Sequence, residues 1–248
     1  MAVKNIFLFS FLKKKSHYKP GELFHTDMHA HWLPGIDDGP GTLEESMAML
    51  HKFHAMGYKK LIATPHIYRD YYPNTSESIQ AAFEKVKEKA LIQLPDLKLY
   101  FAAEYYLDEY FSILIKKKEL LYFQENHVLV EQGFFSEIPG LDRFIFDLQI
   151  AGYVPVMAHP ERYGYYHIRE DRIVSLRHAG VKMQVNLLGL AGKYGAPIAK
   201  KAEEWIKKDL IDFIGTDAHS VSDLDLLDPI SWSADIAEKF IRNGLQEG

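Results

Sequence analysis

The chain has 248 residues, 47% hydrophobic and 25% charged, enough to bury a sizeable core and unlike disordered, collagenous or coiled-coil sequence. Acids number 34 against 29 bases, a formal charge of -5 with no basic stripe to offset it, which argues against a surface that wraps nucleic acid. Cysteine is absent, so a disulfide framework, thiolate-ligated zinc, iron–sulfur clusters and any thiolate nucleophile are excluded.

The N-terminal apolar run, residues 6–12, is broken by Ser10 and is far shorter than the ~20 residues of a membrane-spanning helix. With Lys4 before it, Lys13, Lys14 and Lys15 after it and no small-residue cleavage site, it is a poor signal peptide. A cytoplasmic protein is expected, residues 1–22 forming an extension that frays or packs on the domain. Peripheral attachment at the inner membrane face is the alternative. No Pro/Ser-rich linker follows Lys15, and residues 23–248 read as one domain.

That domain alternates strand and helix. Residues 23–29 read as a strand, followed by a Gly- and Asp-rich loop to Gly41. Thr42 with Glu45 is a capping-box signature, Met47, Leu50, His51 and His54 recur at helical spacing, and Gly57 stops the helix. Strands are expected at 61–64, 97–103, 128–130, 154–158, 181–185 and 213–216. Helices are expected around 78–91, 108–117, 138–151, 169–179, 197–208 and 233–243. Seven strands separated by helices favour a parallel α/β barrel, with a doubly wound open sheet as the alternative.

Polar side chains of ligand type fall at the ends of these strands: His29 and His31, His66, Glu104, Glu131, His159, then Asp217 and His219. In parallel barrels that end is where sites are built. Asp27, His29 and His31 are two residues apart and share one face of an extended segment, so two imidazoles can grip one metal while Asp27 orients a ring from behind. Asp217 and His219 repeat that spacing. The nitrogen and oxygen donors suit Mn, Fe or Zn better than Ca. Glu44 and Glu45 are assigned to capping and solvent, and His25, His51, His54, His127 and His178 to structural or surface roles.

The ordered motifs resemble the polymerase and histidinol phosphatase (PHP) superfamily of metal-dependent phosphoesterases. They are His25-Thr26-Asp27-Met28-His29-Ala30-His31, Ile36-Asp37-Asp38-Gly39-Pro40, Ala63-Thr64-Pro65-His66, Ala103-Glu104-Tyr105-Tyr106, Val130-Glu131, Ala158-His159-Pro160-Glu161-Arg162 and Thr216-Asp217-Ala218-His219. Within it they look most like the bacterial capsule and exopolysaccharide protein-tyrosine phosphatases. The resemblance runs from about Phe24 to past Asp225. It implies a distorted (β/α)7 TIM-like barrel of the PHP type and a trinuclear centre whose usual metal is Mn. It further implies that His29, His31, Glu104 and Asp217 hold one ion, and that Glu104 bridges to a second held by Glu131 and His159. The third would lie with Asp38, His66 and His219. Three divalent ions against four carboxylates would make a positive pocket for a phosphate dianion and supply an activated water as nucleophile.

Arg162, three residues after His159, is the candidate for a phosphate clamp with paired donors, and joins Asp38 and His66 as a catalytic residue. Arg69 is a candidate to assist it. The tyrosines Tyr68, Tyr71, Tyr72, Tyr163, Tyr165 and Tyr166 flank two ligand motifs, and Tyr68 and Tyr163 head the candidates to wall a slot for a phosphotyrosyl ring. Relatives of streptococcal type carry a second phosphate-contacting Arg shortly after the last motif, where residues 220–227 here hold none. The expected activity is protein-tyrosine phosphatase, acting on the tail of a bacterial membrane tyrosine kinase that controls polysaccharide export. A small-molecule phosphatase, such as one for histidinol phosphate, is the alternative.

Overall fold

The computed structural model of the protein describes residues 19–228. The expected helix at 233–243 and the apolar run at 6–12 lie outside the described residues. Among the described residues there are nine strands: β1 (Thr26–Ala30), β2 (Lys60–Ala63), β3 (His66–Ile67), β4 (Lys98–Phe101), β5 (Glu104–Tyr106), β6 (His127–Glu131), β7 (Val154–Met157), β8 (Lys182–Asn186) and β9 (Phe213–Gly215). Every strand pairing is parallel, in the orders β1-β2-β4 and β3-β5-β6-β7-β8-β9.

Seven of these correspond to the expected strands, and β3 and β5 fall just past the expected ranges 61–64 and 97–103, as continuations of β2 and β4 beyond a bend. The Pro65 ring removes a ladder donor between β2 and β3. Ala102 and Ala103 separate β4 from β5 at the matching level, where Ala102 N–H donates to Ala63 O (2.8 Å) and Glu104 N–H to Pro65 O (3.1 Å). Both bends carry the chain from the first sheet to the second and deliver His66 and Glu104 side by side, since these two residues are register partners. At the other seam Asp217 N–H donates to His29 O (2.7 Å) and His31 N–H to Ala218 O (2.9 Å), drawing β9 and β1 together. The result is a curled parallel α/β half-barrel with helices outside.

The helices begin where side chains satisfy the free N–H groups of the first turn. Glu45 N–H donates to Thr42 Oγ1 (3.2 Å), and Thr42 N–H to Glu45 Oε2 (3.0 Å), which starts Leu43–Ala55. Asp108 Oδ1 accepts from Phe111 N–H (2.8 Å) and starts Glu109–Lys117. Leu43–Ala55 buries Met47, Met49, Leu50 and Phe53, each worth about 1.5–3 kcal/mol of apolar transfer. Met28, Ile62, Leu129, Val156 and Phe213 form a separate apolar cluster contributed by the strands, and Leu129 shares a face of β6 with Glu131, so this cluster underlies the polar strand ends.

One local expectation is overturned at the start of the domain. The segment read as strand from residue 23 opens instead with a short helix, Pro20–Phe24, and His25 turns the chain with φ 46° before β1. That helix reaches into the stretch read as an extension. Its Gly21 lies so close to Met56, Gly57 and Tyr58 that a Cβ would be 2.2 Å from Tyr58 N.

Candidate metal centre

His29, His31, Glu131, His159, Asp217 and His219 lie in or just past β1, β6, β7 and β9, His66 and Glu104 open β3 and β5 just past the bends, and Asp38 lies in the loop after β1; together they converge on one cluster. His29 Nε2 and His31 Nε2 lie 3.3 and 3.4 Å from Glu104 Oε2, and 3.5 and 3.6 Å from Asp217 Oδ1. Asp38 Oδ1 lies 3.5 Å from His66 Nε2 and 3.3 Å from His219 Nε2. His159 Nε2 lies 3.2 Å from Glu104 Oε1 and 3.9 Å from Glu131 Oε2. His66 Nδ1 also stands 3.2 Å from Glu104 Oε2 and from Glu131 Oε1, so this ring touches two of the expected groupings. His31 likewise groups with Asp38, His66 and His219 as well as with His29 and Glu104.

The donor set fits divalent cations. Donor atoms about 2.1 Å from a shared ion are themselves about 3.0–3.4 Å apart. Glu104 Oε2 is buried without a hydrogen bond although three imidazole nitrogens converge on it. Burial alone would raise the Glu104 pKa, but the His29, His159 and His31 rings hold it well below the usual carboxylate range. Burial would lower His66, and its carboxylate neighbours Glu104 and Glu131 instead bring it up to about 9. The carboxylates thus favour protons on His29, His31 and His66, while burial and the nearby Arg162 lower His159, and a cation entering the cluster would displace those protons.

Backbone geometry aims the side chains. His159 and Asp217 leave β7 and β9 in the left-handed region, with φ 32° and 56°, a conformation costing roughly 1–3 kcal/mol for such residues and typical of functional sites. Gly215 permits the approach of β1, because a Cβ there would lie 2.7 Å from His29 Cβ.

The groups that orient the rings differ from expectation. Asp27 does not back His29: the β1–β2 register shifts between Asp27 and Ala30, breaking the simple alternation. Asp27 instead accepts from Thr216 N–H (2.8 Å) and Thr216 Oγ1–H (2.6 Å). Burial, opposed by these bonds, raises its pKa to about 6. The partner of His29 Nδ1 is Gln184 Oε1 (2.9 Å), and that of His31 Nδ1 is Asp37 Oδ2 (2.8 Å). Asn186 Nδ2 donates to Asp217 Oδ2 (2.6 Å). Sequence reasoning passed over Gln184, Asp37 and Asn186. The available signal was Gln184 inside the apolar strand read at 181–185, with Asn186 directly after it.

Arg162 donates from Nη1 to Asp217 Oδ2 (3.0 Å), so the expected clamp is tied to a candidate ligand instead of standing apart from the cluster. Tyr163 is corrected: it is fully buried and cannot wall a slot open to substrate. Its hydroxyl accepts from Gln132 N–H (3.1 Å), and its ring packs edge-on to His159. Tyr166 is buried as well. Tyr68 stacks on Tyr106 (4.1 Å) and Arg69 lies over Tyr110 (4.9 Å). In that loop the ring that stacks on a cluster residue is Tyr72, 5.2 Å from His66. In the stretch without an arginine, Asp223 accepts from His219 N–H (3.0 Å) and pairs with Lys193 (2.5 Å).

The profile of the CpsB/CapC family of capsular polysaccharide synthesis proteins matches residues 25–225. The chain belongs to this family. CapC of Staphylococcus aureus is 30% identical over 197 residues, covering 79% of this chain and 77% of CapC. The tyrosine-protein phosphatase YwqE of Bacillus subtilis is 27% identical over 202 residues, with 79% and 77% covered. Among the solved structures of YwqE from Bacillus subtilis and CpsB from Streptococcus pneumoniae, described as unique metal-dependent tyrosine phosphatases, one superposes with a TM-score of 0.75. It is 25% identical and covers 88% of this chain and 87% of that one. The CpsB/CapC match thus spans every candidate ligand.

Proposed function

We propose that this CpsB/CapC protein is a metal-dependent protein-tyrosine phosphatase that hydrolyses phosphotyrosine on proteins. The observation that carries this reading is the convergence of five imidazoles and four carboxylates at the strand ends, with the Arg162 guanidinium bonded to one of them. Relatives named as tyrosine phosphatases support it.

In this reading His29, His31, Glu104 and Asp217 hold one ion, Glu104, Glu131 and His159 a second, and Asp38, His66 and His219 a third, with Mn as the metal and Fe or Zn as substitutes. Bound divalent ions supply Lewis acidity that lowers the pKa of water and offsets phosphoryl charge. The chain's own groups do the rest. Gln184 and Asp37 fix the His29 and His31 rings so that Nε2 of each faces the cluster. Arg162 presents further N–H donors to a phosphate oxygen. Asp38, with a half-exposed side chain, and His66 beside it are assigned to meet the substrate phosphate. The absence of cysteine is consistent with direct attack by water without a covalent enzyme intermediate.

The substrate is assigned to the phosphorylated tail of a bacterial membrane tyrosine kinase that controls polysaccharide export, and the protein to the cytoplasm or the inner membrane face. No helix among the described residues is long and apolar enough to cross a membrane. Metal-reconstituted protein assayed side by side on a phosphotyrosyl peptide, a phosphoseryl peptide and histidinol phosphate tests the reading. Clear preference for the phosphotyrosyl peptide is expected. Preference for histidinol phosphate would transfer the chain to small-molecule phosphatases, and no turnover of any would remove the activity.

A further inference from the structure

Arg162 stands where three connections meet. It closes the turn Pro160–Arg162 after β7, while Phe134 lies in the connection after β6 and Tyr194 follows the short helix Leu187–Leu190 after β8. The Arg162 Cζ is 4.6 Å from the centroid of the Phe134 ring and 4.3 Å from that of Tyr194. Both lie well inside the ~6 Å over which a ring quadrupole attracts a guanidinium. Arginine suits such contacts because it is planar and weakly hydrated. Two rings and the Asp217 bond together restrict the plane of the group. That restriction decides where its other N–H donors point.

The Phe134 connection is itself held in place by the tyrosines that the sequence suggested as substrate walls. Tyr165 Oη–H donates to Gly133 O (3.0 Å), Gln132 N–H to Tyr163 Oη (3.1 Å) and Tyr166 Oη–H to Glu137 Oε2 (2.8 Å). Arg172 pairs with the same Glu137 at 2.9 Å. Phe134 remains 43% exposed beside the cluster despite this anchoring, and its ring stacks on His159 at 6.0 Å.

We propose that Phe134 and Tyr194 are positioning residues that act through Arg162, their rings holding the guanidinium against Asp217 in the orientation that takes a phosphate oxygen of the substrate. This deepens the phosphatase reading and rests on it. The test is a set of cycles on metal-loaded protein: Phe134→Leu and Tyr194→Leu, each alone and combined with Arg162→Ala, with kcat and KM measured on a phosphotyrosyl peptide. Each single change is expected to lower kcat/KM about three- to tenfold at unchanged metal content. In the Arg162→Ala background the further loss should fall below about twofold. Phe134→Tyr and Tyr194→Phe should stay near the parent. Losses that multiply in full on top of Arg162→Ala, or single variants with parental kinetics, would overturn the proposal. A second readout needs no turnover: the 15N order parameter of Arg162 Nε should fall when both rings become leucine, and an unchanged value overturns the positioning role. If the parent enzyme shows no phosphatase activity, the functional reading fails while this measurement still decides the positioning.

Discussion

Gln184 offers the most direct test of how the centre is held. Its Oε1 accepts from His29 Nδ1–H (2.9 Å) and from His159 N–H (3.3 Å), and its Nε2–H donates to Asn186 Oδ1 (2.9 Å). One fully buried amide thus ties two candidate ligands to the residue that braces a third, Asp217. Gln184→Leu keeps the volume and removes all three bonds. Each buried group left unpaired costs about 1–3 kcal/mol, so folding stability should drop by several kcal/mol at most. The functional effect is separate. Without its acceptor, the His29 ring is free to change tautomer and tilt, and loss of such a ligand-orienting partner typically lowers metal affinity about 10- to 100-fold, equivalent to about 1.4–2.7 kcal/mol. Competition of Mn binding against a chelator of known affinity measures it, with circular dichroism to establish that the variant is folded. Saturating Mn should restore most of kcat. Gln184→Glu retains the acceptor for His29 but sets an oxygen against Asn186 Oδ1, so it should recover only part of the lost affinity. A folded Gln184→Leu protein with parental Mn affinity would refute the view that this amide prepares His29 for a metal.

Treatment with a strong chelator should abolish turnover and readdition of Mn restore it, while thiol-alkylating reagents leave the rate unchanged; activity persisting after verified metal removal would sink the mechanism. Arg162→Ala should keep its metal, because Asp217 Oδ2 retains the Asn186 bond, yet lose about 10- to 100-fold in kcat/KM for want of a charge-assisted contact. Arg162→Lys should recover only part of that, and unchanged kinetics in both would dismiss the residue. Burial raises Glu161 to about 8, so the folded state holds a proton that the unfolded chain releases near its ordinary value; stability is greatest below that value and is lost as pH rises toward 8. In chelated protein Glu161→Gln should therefore gain on the parent by roughly 1 kcal/mol per unit between about pH 5 and pH 8, and urea titrations giving a pH-independent difference would contradict the assignment.

How much of this could be read beforehand depended on whether the signal was local. Thr42 with Glu45, and Gly57, Gly152 and Gly180 after periodic apolar runs, announce helix ends through their own backbone chemistry, and the seven strand positions follow from the runs between them. The stop at Pro65 was legible, but the resumption of pairing at His66 and the bend at Ala102 were not, since β3 and β5 begin with ligand-type residues that read as strand ends. Pro20–Phe24 was missed since apolar Leu23 and Phe24 adjoin the true strand. The ligand-type residues were legible because a histidine or carboxylate ending an apolar strand is costly without a partner. Their partners were not, since Gln184 reaches His29 across 155 positions of sequence. Asp27 failed as a ring partner because a register shift is invisible to an alternation rule, and Tyr163 failed as a wall because its burial depends on packing by distant segments.

The same contacts explain why the centre is costly to build and still stable. His159 and Asp217 carry left-handed backbone, Glu104 lies charged and buried, and Gly215 accepts close contact so that His29 can reach inward. None of these features is favourable alone. They coexist because each unfavourable group is paired with another: the carboxylates draw protons onto His29, His31 and His66, and Arg162 and Asn186 share the outer oxygen of Asp217. Divalent cations in place of those protons would relieve the repulsion between the rings and leave the pocket positive. Removing one partner, by contrast, leaves a buried charge uncompensated. Metal loading, protonation and fold stability are therefore properties of one set of contacts, in which the polar residues behind the ligands matter as much as the ligands themselves.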